Sequence, residues 1–103
     1  MTAINDYPLT QEEFKNWLEQ KEPNKCVGRR LVSKNCPIFR CLKNKQIEVD
    51  EVTNFYTFFE EGCLRVDNPK WVEKFTTKVD NQESVPSISA GEALKLLTEV
   101  IDN

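Results

Sequence analysis

Histidine is absent from this 103-residue chain. Its absence removes the commonest general base, the usual partner of a nucleophilic serine or cysteine, and the commonest metal ligand. The four cysteines are spaced C-x9-C-x4-C-x21-C, without the short-spaced pair that one turn presents to zinc or to an iron–sulfur cluster. No metal site and no cofactor is expected. Glycine is scarce, and Gly28, Gly62 and Gly91 stand too far apart to form a phosphate-cradling loop. No apolar run approaches the roughly 20 residues that span a bilayer. The start, MTAINDYPLTQEE, has neither the basic n-region nor the apolar h-region of a signal peptide. A cytoplasmic protein without membrane association follows as the expectation, and in that reducing compartment cysteines are more often buried small apolar residues than disulfides.

Acidic residues are what residues 25–45 lack. This stretch, KCVGRRLVSKNCPIFRCLKNK, holds half of the 14 basic residues (Lys25, Arg29, Arg30, Lys34, Arg40, Lys43, Lys45) and three of the cysteines, Cys26, Cys36 and Cys41. All 17 acidic residues lie elsewhere, so a local charge of +7 sits in a chain whose remainder carries −10 and whose total is −3. Such asymmetry bears on partners rather than on fold.

At this length, with 39% hydrophobic and 10% aromatic residues, the chain is expected to form one domain, 1–103, with its own core. Thr10 and Glu13 form a capping box with Leu9 and Phe14 as its hydrophobic staple, and Phe14, Trp17 and Leu18 mark the inner face of a first helix ended by Pro23. Cys26, Val27, Leu31 and Val32 make a short strand interrupted at Gly28. Asn35 or Cys36 caps a second helix with Pro37 at its first position, and Ile38, Cys41 and Leu42 share its apolar face. From Ile47 to Val66 the period changes to two. Ile47 and Val49 alternate with Glu48 and Asp50, and Phe55, Thr57 and Phe59 oppose Tyr56 and Phe58 on a strand expected to be covered on both faces or to lie against a partner. Glu60, Glu61 and Gly62 turn the chain into a further strand. Asp67-Asn68-Pro69 repeats the polar-cap-then-proline signature ahead of a helix with Trp71, Val72, Phe75 and Val79 inward. A polar connector, residues 80–87, leads to a second capping box, Ser89 with Glu92, and a stripe of Ala93, Leu94, Leu97, Val100 and Ile101. The fold class is α+β: about four short helices packed on a small antiparallel sheet in the middle of the sequence.

Trp17-Leu18, Val27-Gly28-Arg29, Cys36-Pro37, Trp71-Val72-x-x-Phe75, Val79-Asp80 and Ala90-x-Glu92-Ala93-Leu94 stand in an order that resembles a family of small uncharacterised bacterial proteins. The resemblance spans most of the chain. It implies a free-standing bacterial cytosolic domain, and no activity, cofactor or site residue comes with it.

Three functional readings compete. The basic stretch, with Arg29, Arg30, Lys34, Arg40, Lys43 and Lys45 as binding residues, forms a face that docks an acidic protein surface or a second copy of the chain. This makes a non-enzymatic interaction or regulatory module, the preferred expectation. Alternatively the same face neutralises phosphates of a nucleic acid while Phe39 stacks on a base, against which the overall negative charge argues. Thirdly, Cys36 at a helix N-terminus, flanked by Lys34 and Arg40, is a reactive thiol in an enzyme or redox sensor, its thiolate favoured by dipole and charge. Glu60-Glu61 and Asp50-Glu51 are adjacent pairs that point to different sides and do not converge on a substrate. No catalytic constellation is recognisable.

Overall fold

The computed structural model of the chain describes residues 7–29, 31–82 and 87–101, with the backbone alone at Ile101. Four helices, α1 (Gln11–Glu19), α2 (Pro37–Asn44), α3 (Lys70–Asp80) and α4 (Ala90–Ile101), pack with two antiparallel sheets. One sheet has the order β2 (Val49–Val52), β3 (Tyr56–Phe59), β4 (Leu64–Asp67); the other pairs β1 (Cys26–Arg29) with β5 (Ser87–Ser89). The α+β class and the central three-stranded sheet are as expected. The second sheet is new, because β5 is three residues long and pairs with a strand some sixty residues away in register Cys26↔Ser89.

Local signals place the helix starts. Thr10 Oγ1 accepts from Glu13 N–H (3.0 Å) while Glu13 Oε1 accepts from Thr10 N–H (2.9 Å), and Ser89 and Glu92 form the matching pair at α4. Cys36 is the N-cap of α2, its Sγ accepting from Phe39 N–H (3.4 Å), with Pro37 in the first turn. The parallel signature at Asn68-Pro69 behaves differently. Pro69 itself is the N-cap of α3 and no side chain caps it. Asn68 is buried instead among polar partners: its Oδ1 accepts from Thr57 Oγ1, its Nδ2 donates to Thr53 O (2.8 Å), and Tyr7 Oη meets Thr57 Oγ1 at 2.8 Å. A buried hydroxyl needs partners more than an exposed helix end does, since water serves the latter.

The core is continuous from α1 through α2, α3 and α4 to the inner faces of both sheets. Phe14 lies fully buried at its centre, edge-on to Phe75 (centroids 5.0 Å) and beside Trp17 (6.1 Å) and Trp71 (5.7 Å). Ile38, Cys41 and Leu42 are core, as their spacing requires. Along β3 Thr57 and Phe59 are buried as the alternation requires, whereas Phe55, expected on the same face, precedes the strand and is 59% exposed. On the other face, among the described residues, Phe58 is half-buried and Tyr56 is exposed with Arg65 of the neighbouring strand over its ring (4.5 Å). The strand expected to reach Val32 ends at Arg29. Leu31 sits in the left-handed region (φ 62°), donates its N–H to Asp80 Oδ1 (3.0 Å), and is 67% exposed. Asp80 closes α3 and Ser87 opens β5, so the expected connector is shorter at both ends, and its residues 83–86 lie outside the described residues.

Gly28 is the point where β1 meets the start of α2. A Cβ there would stand 2.6 Å from Pro37 N, 2.7 Å from Pro37 Cδ and 2.8 Å from Cys36 C. These are backbone and ring atoms that no rotamer change can move. Gly28→Ala is therefore expected to destabilise the fold by about 1–3 kcal/mol, the range of overpacked sites, measured as a lower urea midpoint at unchanged m-value.

Candidate functional site: a cationic groove between α1 and α2

The end of α1, the segment entering β1 and the outer side of α2 enclose an open groove of about 440 Å3. Its walls are Trp17 and Lys21, Lys25 with Cys26 and Val27, and Asn35, Phe39, Arg40, Lys43 and Asn44. Four cations line it and, among the described residues, no carboxylate does. A shallower continuation past Lys25 and Arg40 reaches Glu22 and Asn24.

The two aromatic walls are built alike. Lys21 follows Trp17 by four residues and its Nζ lies over the indole (5.1 Å); Lys43 follows Phe39 by four and its Nζ lies over the phenyl ring (5.6 Å). Within α2 this spacing stacks the two side chains on one helix face, whereas Lys21 lies just past the end of α1; in both pairs the cation is attracted by the ring quadrupole. Arg40 is fixed between them, Nε donating to Asn35 Oδ1 (2.7 Å) and Nη1 to Cys26 O (3.3 Å). Trp17 Nε1 is buried without a hydrogen-bond partner. Among the described residues none of the four cations forms an ion pair, so each charge faces the groove or solvent.

Of the six binding residues expected from sequence, the five that are described do not share one face. Arg40 and Lys43 line the groove. Lys34 pairs with Asp50 (3.4 Å) at the edge of β2, and Lys45 pairs with Glu13 (2.9 Å) while also donating to Pro8 O (2.8 Å). Glu13 is held below its usual carboxylate range, chiefly by the Thr10 N–H and then by Lys45. Arg29 is exposed at the end of β1 and does not line the groove. Arg30 lies outside the described residues. Trp17 and Lys21 were missed because they precede the basic stretch in sequence. The aromatic-then-lysine spacing at Trp17–Lys21 and Phe39–Lys43 is the signal that could have found them.

Cys36 has the predicted position but not the predicted character. It is 5% exposed, and burial pushes its thiol up from the ordinary 9.0 to about 11, although the Phe39 and Ile38 N–H groups favour the thiolate. A helix dipole contributes about 0.3–1 kcal/mol, whereas a net rise of two units corresponds to ~3 kcal/mol against ionisation. Desolvation wins. Cys36 borders a cavity of about 250 Å3 shared with Leu31, Val32, Thr76 and Asp80, and the Thr76 hydroxyl is buried there without a partner. Cys41 is raised likewise, by burial, to about 12. Among the described residues no three of the Cys, Asp or Glu side chains come together as a metal site.

The chain matches no family model, no curated protein and no solved structure.

All four thiols are free, Cys26 and Cys63 exposed and Cys36 and Cys41 buried. Alkylation of the native protein at neutral pH is expected to modify Cys26 and Cys63 and to spare Cys36 and Cys41 until denaturant is added, read by peptide mass mapping. The folded-state thiols at Cys36 and Cys41 are raised, so the unfolded chain binds fewer protons than the native one above pH 9. Stability is thus expected to be flat below that pH and to fall as pH rises towards 11, monitored by urea midpoints.

Proposed function

We propose that the chain is a non-enzymatic interaction module of the bacterial cytoplasm whose groove receives an acidic segment of a partner protein. The observation that carries this reading is the convergence of Lys21, Lys25, Arg40 and Lys43 on one groove that, among the described residues, no carboxylate lines. Those like charges repel one another, and an anionic segment relieves the repulsion while its hydration is replaced by four donors. Trp17 and Phe39 supply apolar wall for the stem of that segment. Arg40, held by Asn35 and Cys26, is preorganised and loses little freedom on binding. The absence of a carboxylate from the groove and of histidine from the chain supports binding over acid–base catalysis. Four free thiols, two of them exposed, support a reducing compartment. No helix of the described residues is long and apolar enough to cross a membrane.

A single-stranded nucleic acid would use the same cations. Its bases would need the ring faces of Trp17 and Phe39, and an ammonium already lies over each ring. The acidic remainder of the chain also opposes a polyanion longer than the groove. A peptide carrying a few carboxylates fits better.

The test is a tryptophan-fluorescence titration with an aromatic-free oligoglutamate peptide, run beside oligo-dT at low and moderate salt. Lys25→Glu/Lys43→Glu is expected to weaken peptide binding at least ~10-fold while leaving the thermal midpoint nearly unchanged, and added salt should weaken the wild type in the same direction. Binding that is indifferent to both changes would overturn the assignment of the groove. Tighter binding of oligo-dT than of peptide would move it to the nucleic-acid class.

A further inference from the structure

The outer edge of β4 presents a self-matching pair of charges. Asn68 N–H donates to Phe55 O (2.9 Å), and β3 pairs with β4 in the register Thr57↔Val66 and Phe59↔Leu64. In an antiparallel ladder, residues that exchange both backbone bonds alternate with residues that exchange none. Leu64, Val66 and Asn68 therefore direct their N–H and C=O groups at β3, and Arg65 and Asp67 direct theirs away from the sheet. The opposite edge of the same sheet is partly covered. There two of the outward groups of β2 are engaged: Ser33 O accepts from Val52 N–H (2.9 Å) and Lys34 Nζ donates to Asp50 O (3.1 Å).

We propose that β4 is a self-association edge onto which a second copy of this chain adds its own β4, antiparallel, about a two-fold axis at Val66. Arg65 and Asp67 lie one residue either side of that axis. In this register Arg65 stands opposite Asp67 of the partner subunit and the reverse holds across the axis, so the four outward N–H groups and four outward C=O groups near the axis reduce to two complete backbone pairs. Both charge pairs form by the same operation, as an isologous contact requires. A lone charge type at the edge would repel a second copy, the usual protection of an open strand; one charge of each sign, placed symmetrically, attracts it. Leu64 shares the inward side with buried Thr57 and Phe59 yet remains 40% exposed, so the described helices do not overhang the edge and a second sheet has room to approach. The groove between α1 and α2 is built from none of these residues, and the two inferences stand or fall separately.

A contact this small belongs to the weak, transient class, with a dissociation constant on the order of 100 µM. Sedimentation velocity from ~10 µM to ~1 mM is expected to show a reversible monomer–dimer equilibrium. Arg65→Asp and Asp67→Arg each set like charges opposite one another and should weaken it about tenfold. The double swap Arg65→Asp/Asp67→Arg restores both pairs and should recover the wild-type constant. Circular dichroism melts identify any variant that fails to fold, in which case the other single variant carries the comparison. A wild type that stays monomeric throughout, or a dimer whose strength ignores all three variants, would overturn the proposal.

Discussion

The approach of β1 to the first turn of α2 at Gly28 is the constraint on which the arrangement of the molecule depends. Backbone and proline ring occupy the space a side chain would need, so α2 starts directly against the strand, with Arg29 N–H held by Asn35 O at 2.9 Å. That seat turns the apolar face of α2, with Ile38, Cys41 and Leu42, into the core. It leaves Phe39, Arg40 and Lys43 facing the end of α1. β1 is fixed from its other side by β5 and by the start of α4, through Ala90 N–H to Lys25 O and Gly91 N–H to Pro23 O, both 2.8 Å. The groove thus rests on segments from both halves of the chain, and its shape is a tertiary property.

Charge is sorted by the same arrangement. Exposed ion pairs such as Lys34–Asp50 and Lys45–Glu13 are worth about 0–1 kcal/mol each, too little to explain the fold. Their larger effect is to pair Lys34 and Lys45 with carboxylates, whereas among the described residues Lys25, Arg40 and Lys43 form no ion pair. The backbone oxygens of Pro8 and Asp50, bonded by Lys45 and Lys34, give those two lysines a structural task as well. A run that reads as seven equivalent cations is divided in space between anchoring and display.

Signals confined to four or five residues were readable directly. The Thr10–Glu13 and Ser89–Glu92 boxes, the Cys36-Pro37 helix start and the alternation through Thr57 and Phe59 all appear where periodicity and capping chemistry put them. Asn68-Pro69 carries the same local signature as Cys36-Pro37 and was misread, because Thr57 and Thr53, eleven and fifteen residues away, take the Asn68 side chain into the core. The strand through Leu31 failed for the same kind of reason: Asp80 holds that backbone in a left-handed turn from another helix.

By itself the sequence determined the α+β class, the starts of α1, α2 and α4, the core faces of α1, α2 and α3 and the segregation of positive charge, since each follows from contacts between near neighbours in the chain. Only the tertiary structure decided that Trp17 and Lys21 join Phe39, Arg40 and Lys43 in one groove, that Cys36 is desolvated rather than activated, and that, among the described residues, one edge of the sheet is partly covered while the other is open. Desolvation, ion pairing and strand pairing depend on what a fold brings within a few ångströms. For Cys36, Lys34 and β4 those neighbours, or their absence, are set by segments remote in sequence.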